Sequence, residues 1–568
     1  MLSQDRPICL LLGGNKLNAG VADKFHRWGC DTLVVDWNES PAVQGGLHLQ
    51  LDVKKPEPII AALVERDLLK RVKFGFTSID VAVPSLAVVL KACGLNVNSQ
   101  VGLSNCFSKS RQTEIWANEG LLNRKSCKIS NEETAEEIRE WNSAQKLIVK
   151  PDNAASSRGI TILERESRYG DIVAAVRKAL DNASNGLAVV EEFVEGTEFT
   201  VEMLGDGDGH VSVYAISKKQ HTKNTDRNRI AVKLHYNAID QKLAEQIAEV
   251  GMKCYRALGF CNSLGHLEVL LKPDGSISPV EIGARSSGYI ASDLVDIASG
   301  RDFLGDLKEV YNGGSVPDGL RPQSDMSSMY FFYDIPGGCT ITHACTLLDF
   351  CDKSVITRAS DTAGLTVGRT VQNIDNDNAR LGMEVLEGPK NLMTESYIAN
   401  AERQFLNKLL QKDVGLGDIS SGVGRARVRE LKFSMHGDVR GQLIALEGNS
   451  EVIPFEVKRV YYIFDTTPGV VRGNHAHKKL KQLLICLSGA CTVVCELADG
   501  KISEHRLDWP DKGLLVEGLV WRQMKDFSKD AVLMVLASEH YDEKDYIRNY
   551  ESFLDVARME SENGSIHS

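Results

Sequence analysis

Apolar runs set the first division of the chain. Pro7 to Leu12 is a short apolar run that ends in Gly13-Gly14-Asn15, and after a helical stretch a second run, Thr32 to Val35, ends at Asp36. That order of strand, turn, helix and strand predicts a parallel sheet. Lys73 to Ser78 and a helical Val81 to Cys93 continue the α/β layer to about residue 100. The glycines serve a tight turn or a ligand contact, but the third glycine of a dinucleotide fingerprint is missing. From Phe107 the pattern changes. Lys109 opens a helix over Ser110 to Glu119, and Gln145 to Pro151 is a strand ending in Lys150, followed by the small polar loop Asp152 to Gly159. Ala188 to Glu202 is rich in both β-formers and glutamates, and His266 to Leu271 meets Pro279 to Gly283 across a turn at Pro273-Asp-Gly275. Short strands are expected at Met329 to Tyr333, Ser354 to Thr357 and Thr366 to Val371, then a helix from Thr394 to Leu410. The Asn/Asp cluster Asn373 to Asn378 reads as a turn, and Val414 to Gly424 as a glycine/serine linker. Beyond it, Val460 to Phe464 and Leu483 to Leu487 read as two strands around a polar connection, and the tail from Met559 is polar.

With 568 residues, three to five structural units are expected. Apolar residues make up 43% and charged ones 25%, as in ordinary globular proteins. A net charge of −11 argues against nucleic acid as the main partner. The thirteen cysteines lack paired spacing, no apolar span approaches twenty residues, and no signal segment opens the chain. Free thiols, no membrane and a cytoplasmic location are the expectation.

The polar connection carries chemistry. On a strand, His475 and His477 point to the same side. The spacing from Gly469 through His475-x-His477 and Gln482 to Gly489 resembles the first cupin motif, in which a Glu normally stands at the position of Gln482. The last cupin histidine is replaced by Arg522. An amide and a cation in two of four ligand positions deprive a divalent metal of donors and charge, leaving imidazoles free for proton transfer. The wider stretch 428–556, with Pro454 to Asp465, Arg472 to Lys479, Val532 to Ser538 and Tyr541 to Arg548, resembles the nucleotide-sugar 3,4-ketoisomerases. The resemblance implies an all-β double-sheet barrel that needs no cofactor, with His475 and His477 as acid and base in unassigned order. Arg440, Arg459, Tyr461, Tyr462, Arg472 and Lys478 are the candidates for holding the sugar nucleotide; adjacent strand residues face opposite ways, so at most one tyrosine should face the pocket. The pair Arg440-Gly441 resembles members that deliver the galacto product.

The earlier pieces, in their order, resemble the ATP-grasp carboxylate–amine ligases across residues 1 to about 412. The resemblance implies that Lys109, Lys150 and the loop serines Ser156 and Ser157 bind nucleotide phosphates. It gives adenine to the backbone at Glu192 to Val194, ribose to Glu198, Mg²⁺ to Glu268 and Glu281, and the transferring phosphoryl group to Arg285. Gly283 stands where the family usually has Asn, one metal ligand fewer.

The expected organisation is multidomain, α/β and α+β and then all-β: a pre-ATP-grasp domain (1–104), ATP-grasp subdomains (105–325), a closing subdomain (326–412), a linker (413–427), a cupin (428–558) and a flexible tail (559–568). The fusion implies a bifunctional enzyme using ATP and Mg²⁺. Its substrates would be a dTDP-linked 4-keto-6-deoxyhexose and an amino acid or other carboxylate, with the 3-amino sugar made by a separate aminotransferase as amine acceptor. A homodimer exchanging Val428 to Phe433 through the cupin is also implied. The alternatives are a ligase making dipeptides or acting on an unrelated amine, and a cupin that holds a metal or senses a nucleotide sugar.

Overall fold

The computed structural model describes residues 5–122, 124–154, 158–222, 230–287, 291–373, 380–410, 419–420, 426–438, 441–450, 452–467, 469–497 and 500–556. The chain divides into two compact units, Met1–Leu410 and Gln411–Ser568.

The first unit opens with β1 (Ile8–Leu12), β2 (Asp31–Asp36), β3 (Leu47–Gln50) and β4 (Val72–Phe76), a parallel sheet in the order β3-β2-β1-β4. Its central strands read as unbroken apolar runs because both faces are covered. Ile8, Leu10 and Leu12 enter one core, and Cys9 and Leu11 enter the other. A small antiparallel sheet follows, β5 (Ser126–Ile129), β6 (Leu147–Pro151), β7 (Thr161–Leu163) and β8 (Ala188–Glu192), in the order β5-β8-β6-β7.

The largest sheet contains β9 (Thr197–Gly205), β10 (Val211–His221), β11 (Ala231–Tyr236), β12 (Ser263–Leu271), β13 (Ile277–Gly283), β14 (Gly319–Leu320), β15 (Met326–Phe332), β16 (Ile356–Asp361) and β17 (Met383–Pro389). Its order is β13-β12-β9-β10-β11-β15-β17-β16, with β14 beside β10. Period-two alternation gives it two unlike faces. Phe199, Val201, Met203, Leu267 and Val269 pack with Ile247, Ala248 and Cys254 of the helix Gln241–Ala257. Glu198, Thr200, Glu202 and Glu268 therefore fall on the opposite face.

One expected strand is absent from this unit. Thr366 to Val371 makes only an isolated bridge between Thr370 and Thr340, because Gly368 at φ +87° turns the chain away from an extended path. The expected turn Asn373 to Asn378 lies, after Asn373, outside the described residues.

The second unit holds β18 (Ile419–Ser420), β19 (Arg427–Lys432), β20 (His436–Asp438), β21 (Gly441–Leu443), β22 (Arg459–Ile463), β23 (Arg472–His477) and β24 (Gln482–Ser488). It continues with β25 (Cys491–Leu497), β26 (Ile502–Leu507), β27 (Lys512–Glu517), β28 (Val520–Lys525), β29 (Val532–Ala537) and β30 (Tyr546–Ile547). Two sheets, β18-β19-β27-β24-β29-β22 and β26-β25-β28-β23-β30, enclose a shared core, and β20 pairs with β21. The multidomain fold, α/β and α+β followed by all-β, is the one expected. Two details differ. The polar connection is itself strand β23, because β28 and β30 pair with it on either side. Ile419–Ser420, expected in the linker, pairs with β19; most of the linker and the tail lie outside the described residues. The segment Val428 to Phe433 falls largely in β19 and pairs along β27 of its own chain.

A buried charge cluster ties the two antiparallel sheets of the first unit together. Glu191 on β8 accepts from Lys150 Nζ at 2.6 Å and from Arg124 Nη2 and Thr113 Oγ1 at 3.1 Å. Arg124 also donates to the Pro279 carbonyl on β13 at 3.0 Å. Burial opposes ionisation of Glu191, but Lys150 and Arg124 overcome it and hold the carboxyl down at about 2. With the folded value depressed from 4.5, this stabilisation is present above pH 4.5 and is lost as pH falls towards 2. Glu191→Gln should cost about 3–5 kcal/mol by leaving two buried cations unpaired. Chemical denaturation across pH should show it, together with a shallower loss of stability below pH 4.5 than in the wild type.

Candidate functional site

Between its antiparallel sheets the first unit encloses a cavity of ≈ 530 Å³. Its floor is the polar face of the large sheet. Glu268 on β12 stands opposite Glu281 on β13, and His266 opposite Gly283. Directly opposed residues of an antiparallel pair share a face, so both carboxylates enter the cavity together. Each is met by a lysine. Lys109, at the start of the helix Lys109–Asn118, reaches Glu281 Oε2 at 2.8 Å and the Ala154 carbonyl at 2.9 Å. Lys219 on β10 bridges Glu268 Oε1 at 2.7 Å and Glu198 Oε1 at 2.5 Å, while His221 Nε2 lies 3.2 Å from the other oxygen of Glu198. Burial disfavours these charges, yet Lys219 and His221 hold Glu198 well below the usual carboxylate range, and Lys109 lowers Glu281 as well.

The remaining expected residues of this unit line the same cavity where they are described. Lys150 enters from β6, paired to Glu191. Glu192 to Val194 form one rim; Gln145 Nε2 donates to Glu192 Oε1 at 2.9 Å, and Lys146 lies over the Phe193 ring at 4.7 Å. Arg285, just beyond β13, is gripped by both oxygens of Asp80, a residue of the first sheet's loops. Ser156 and Ser157 lie outside the described residues. Sequence reasoning did not assign Asp80, Glu191, Lys219 or Glu202, whose Oε1 lies 2.7 Å from His266 Nδ1. For Glu202 the period-two phase shared with Glu198 was an available signal; for the others no motif or spacing tied them to the site.

In the second unit the inward positions change character along each strand. Ile463, Leu484, Met524 and Val535 are apolar and packed together. One step further along their strands stand Tyr461, Gln482 and Arg522. Gln482 Nε2 donates to Tyr461 Oη at 2.8 Å. His475 sits directly across from Arg522. The imidazole of His475 lies edge-on to that of His477, 4.9 Å between centroids, and both pack on Tyr546, at 5.0 and 4.1 Å. His477 is fully buried, with Nδ1 2.9 Å from Asp545 Oδ2. Its Nε2, His475 Nδ1 and both terminal nitrogens of Arg522 are buried without a hydrogen-bond partner among the described residues. Such a concentration of unsatisfied polar atoms marks a place for a polar ligand.

Burial, reinforced by the Arg522 charge, pushes His475 down to about 4 and His477 further in the same direction. The imidazoles do not keep their ordinary values, and both are neutral at pH 7. Tyr461 faces the interior. Tyr462, 64% exposed, is on the outer face beside Phe464 and does not join the site. Arg459 lies near Tyr461 and Tyr541, 5.4 and 5.6 Å from their rings. Arg472 and Lys478 are exposed, the latter donating to the Lys544 carbonyl at 2.9 Å. Arg440 lies outside the described residues. Asp545 and Tyr546, in contact with both histidines or one of them, went unassigned because a 3-10 turn ending at Asp545 and a two-residue strand after it carry no periodicity.

Known proteins resemble each unit separately. Residues 426–558 match the family described as FdtA: WxcM-like, C-terminal, and residues 143–293 match the ATP-grasp domain. The TDP-4-oxo-6-deoxy-alpha-D-glucose-3,4-oxoisomerase of Aneurinibacillus thermoaerophilus is 57% identical over 124 residues, covering 22% of this chain and 87% of that protein. The D-alanine–D-alanine ligase of Cupriavidus taiwanensis is 28% identical over 160 residues, covering 27% of this chain and 46% of the ligase. The chain spans about half the length of the D-alanine–D-alanine ligases it matches. The solved L-amino acid ligase of Bacillus licheniformis covers 72% of this chain and 98% of its own at a TM-score of 0.55 and 17% identity, a likeness of fold. Through its second unit the chain belongs to the FdtA-like family of sugar 3,4-oxoisomerases, and its first unit carries a stretch that matches the ATP-grasp domain.

Proposed function

We propose that the chain is a bifunctional enzyme of deoxyaminosugar synthesis. Its second unit moves a ketone from C4 to C3 of dTDP-4-keto-6-deoxyglucose. Its first unit joins a carboxylate, an amino acid by preference, to an amine at the expense of ATP. The observation that carries the isomerase reading is the pair of neutral imidazoles beside a buried guanidinium whose terminal nitrogens have no hydrogen-bond partner among the described residues.

The C4 carbonyl acidifies the C3 hydrogen. His475, the less buried ring, takes that proton, and Arg522 stabilises the enediolate oxygen that develops. Reprotonation at C4 and loss of the proton on O3 leave the ketone at C3. His477, oriented by Asp545, stands behind His475 as proton partner. A cation and an amide among the inward groups suit an oxyanion and do not suit a divalent metal. The exposed apolar side chains of Val460 and Tyr462 on the edge strand β22, and of Phe464 just past it, support association through the barrel as a homodimer.

In the first unit, Lys109 and Lys150 would meet the nucleotide phosphates, Glu192 to Val194 the adenine, and Glu198 the ribose. Glu268 and Glu281 fit Mg²⁺ as two opposed carboxylates on one face, and the ion would neutralise charge on the transferring phosphoryl oxygens. The substrate carboxylate attacks the γ-phosphate and ADP leaves; an amine then attacks the acyl carbon and phosphate leaves. The amine is the 3-amino group of the dTDP-sugar that an aminotransferase makes from the isomerase product, so the two units serve one route.

Incubation with dTDP-4-keto-6-deoxyglucose followed by NMR should show the 3-keto sugar, in galacto configuration. His475→Asn should lower turnover by about 10²-fold or more; unchanged turnover would overturn the isomerase assignment. Only neutral His475 acts as base, so kcat/KM should hold through neutral pH and fall as pH drops through about 4. A second incubation, with ATP, Mg²⁺, an amino-acid panel and dTDP-3-amino-3,6-dideoxyhexose, should release ADP only when the sugar is present. Sugar-independent ADP release with dipeptide formation would place the acceptor elsewhere.

A further inference from the structure

The grip of Asp80 on Arg285 joins residues 205 positions apart. Asp80 stands at the start of the 3-10 turn Asp80–Ala82, just past the carboxyl end of β4, the end of a parallel strand at which α/β sheets bind ligands. Arg285 follows β13, four residues after Glu281. Its Nε and Nη2 donate to the two oxygens of Asp80, the second at 2.9 Å, and its Nη1 donates to the Ser286 carbonyl at 2.8 Å. A guanidinium has five N–H donors. Three are committed here, so one remains on each terminal nitrogen. Those two leave Arg285 able to take one further oxyanion in the cavity that both residues line.

Space beside the pair is kept by Gly283. A Cβ there would lie 3.7 Å from Arg285 Cγ and 4.0 Å from Asp80 Oδ1, ordinary contact distances, so a longer side chain would extend beside the ion pair.

We propose that Asp80 is a positioning residue for the ligase reaction: it fixes the plane of Arg285 so that the two remaining N–H groups meet the oxyanion of the carboxylate substrate and of its acyl phosphate. The inference rests on the ligase reading and adds that the first sheet supplies part of the acyl-transfer site. An arginine held by a carboxylate loses little freedom on binding its anion, and a displacement of about 1 Å at such a group costs on the order of 10²-fold in rate. Because Asp80 acts only through Arg285, its loss should be felt by the carboxylate substrate and not by the nucleotide.

The test uses the full chain with ATP, Mg²⁺, a mixture of L-amino acids and hydroxylamine, which traps the acyl phosphate as a hydroxamate without the natural amine. Wild-type hydroxamate formation with ADP release establishes the ligase reading; its absence overturns that reading and this inference with it. Given wild-type activity, Asp80→Asn should lower kcat/KM for the amino acid about a hundredfold while KM for ATP changes less than twofold. Asp80→Glu should recover part of the loss. In an Arg285→Ala background, Asp80→Asn should have no further effect. Equal losses towards ATP and amino acid, or additive effects in the double variant, overturn the positioning role. Thermal unfolding of each variant separates such a loss from failure to fold: a variant that unfolds early yet keeps wild-type kcat/KM at low temperature also counts against it.

Discussion

Charge taken out of water must be balanced nearby, and the first unit is arranged around that constraint. Its cavity collects carboxylates from four strands of two sheets. None is left to itself: Glu191 has Lys150 and Arg124, Glu281 has Lys109, Glu198 and Glu268 share Lys219. Breaking one buried pair exposes the partner to the full cost of desolvation, so the pairs also hold the sheets in register. Under the proposed ligase function the same lysines would receive the phosphates. Binding of a polyanion would therefore be an exchange of partners within a fixed set of charges, not the insertion of new charge into an apolar space.

The barrel solves a different problem with the same alternation. Along three of its strands Ile463, Leu484 and Met524 give way, two residues on, to Tyr461, Gln482 and Arg522, and the apolar core becomes a polar chamber. The apolar layer supplies the rigidity, and the chamber inherits it. His475 and His477 owe their depressed pKa values to that position, first through burial and then through Arg522.

Much of the site was legible from the chain, because motifs name residues. Lys109, Lys150, Glu198, Glu268 and Glu281 were each marked by the resemblance to the ATP-grasp ligases, and the two histidines by their own spacing as well. Their partners were not. Glu191 is 41 residues from Lys150, Lys219 is 49 from Glu268, and Asp80 is 205 from Arg285. A charged residue alternating on a strand looks the same whether its face meets solvent or a cavity. Parity alone said that Tyr461 and Tyr462 must diverge; which one turns inward depended on the register of β22 against β29. Strand β23 was hidden for the opposite reason, since glycine, asparagine and histidine carry no β signature and only pairing by its neighbours extends it.

Arg522 has a thermodynamic consequence of its own. Its guanidinium is hydrated in the unfolded chain and stripped of water in the folded barrel, where burial lowers its affinity for the proton. An anion that reaches it lowers the free energy of the native form alone. By mass action such a molecule raises the melting temperature of the barrel in step with its concentration relative to its dissociation constant. Occupancy and thermal endurance are then two readings of a single equilibrium, and the barrel would be most fragile when such an anion is scarce.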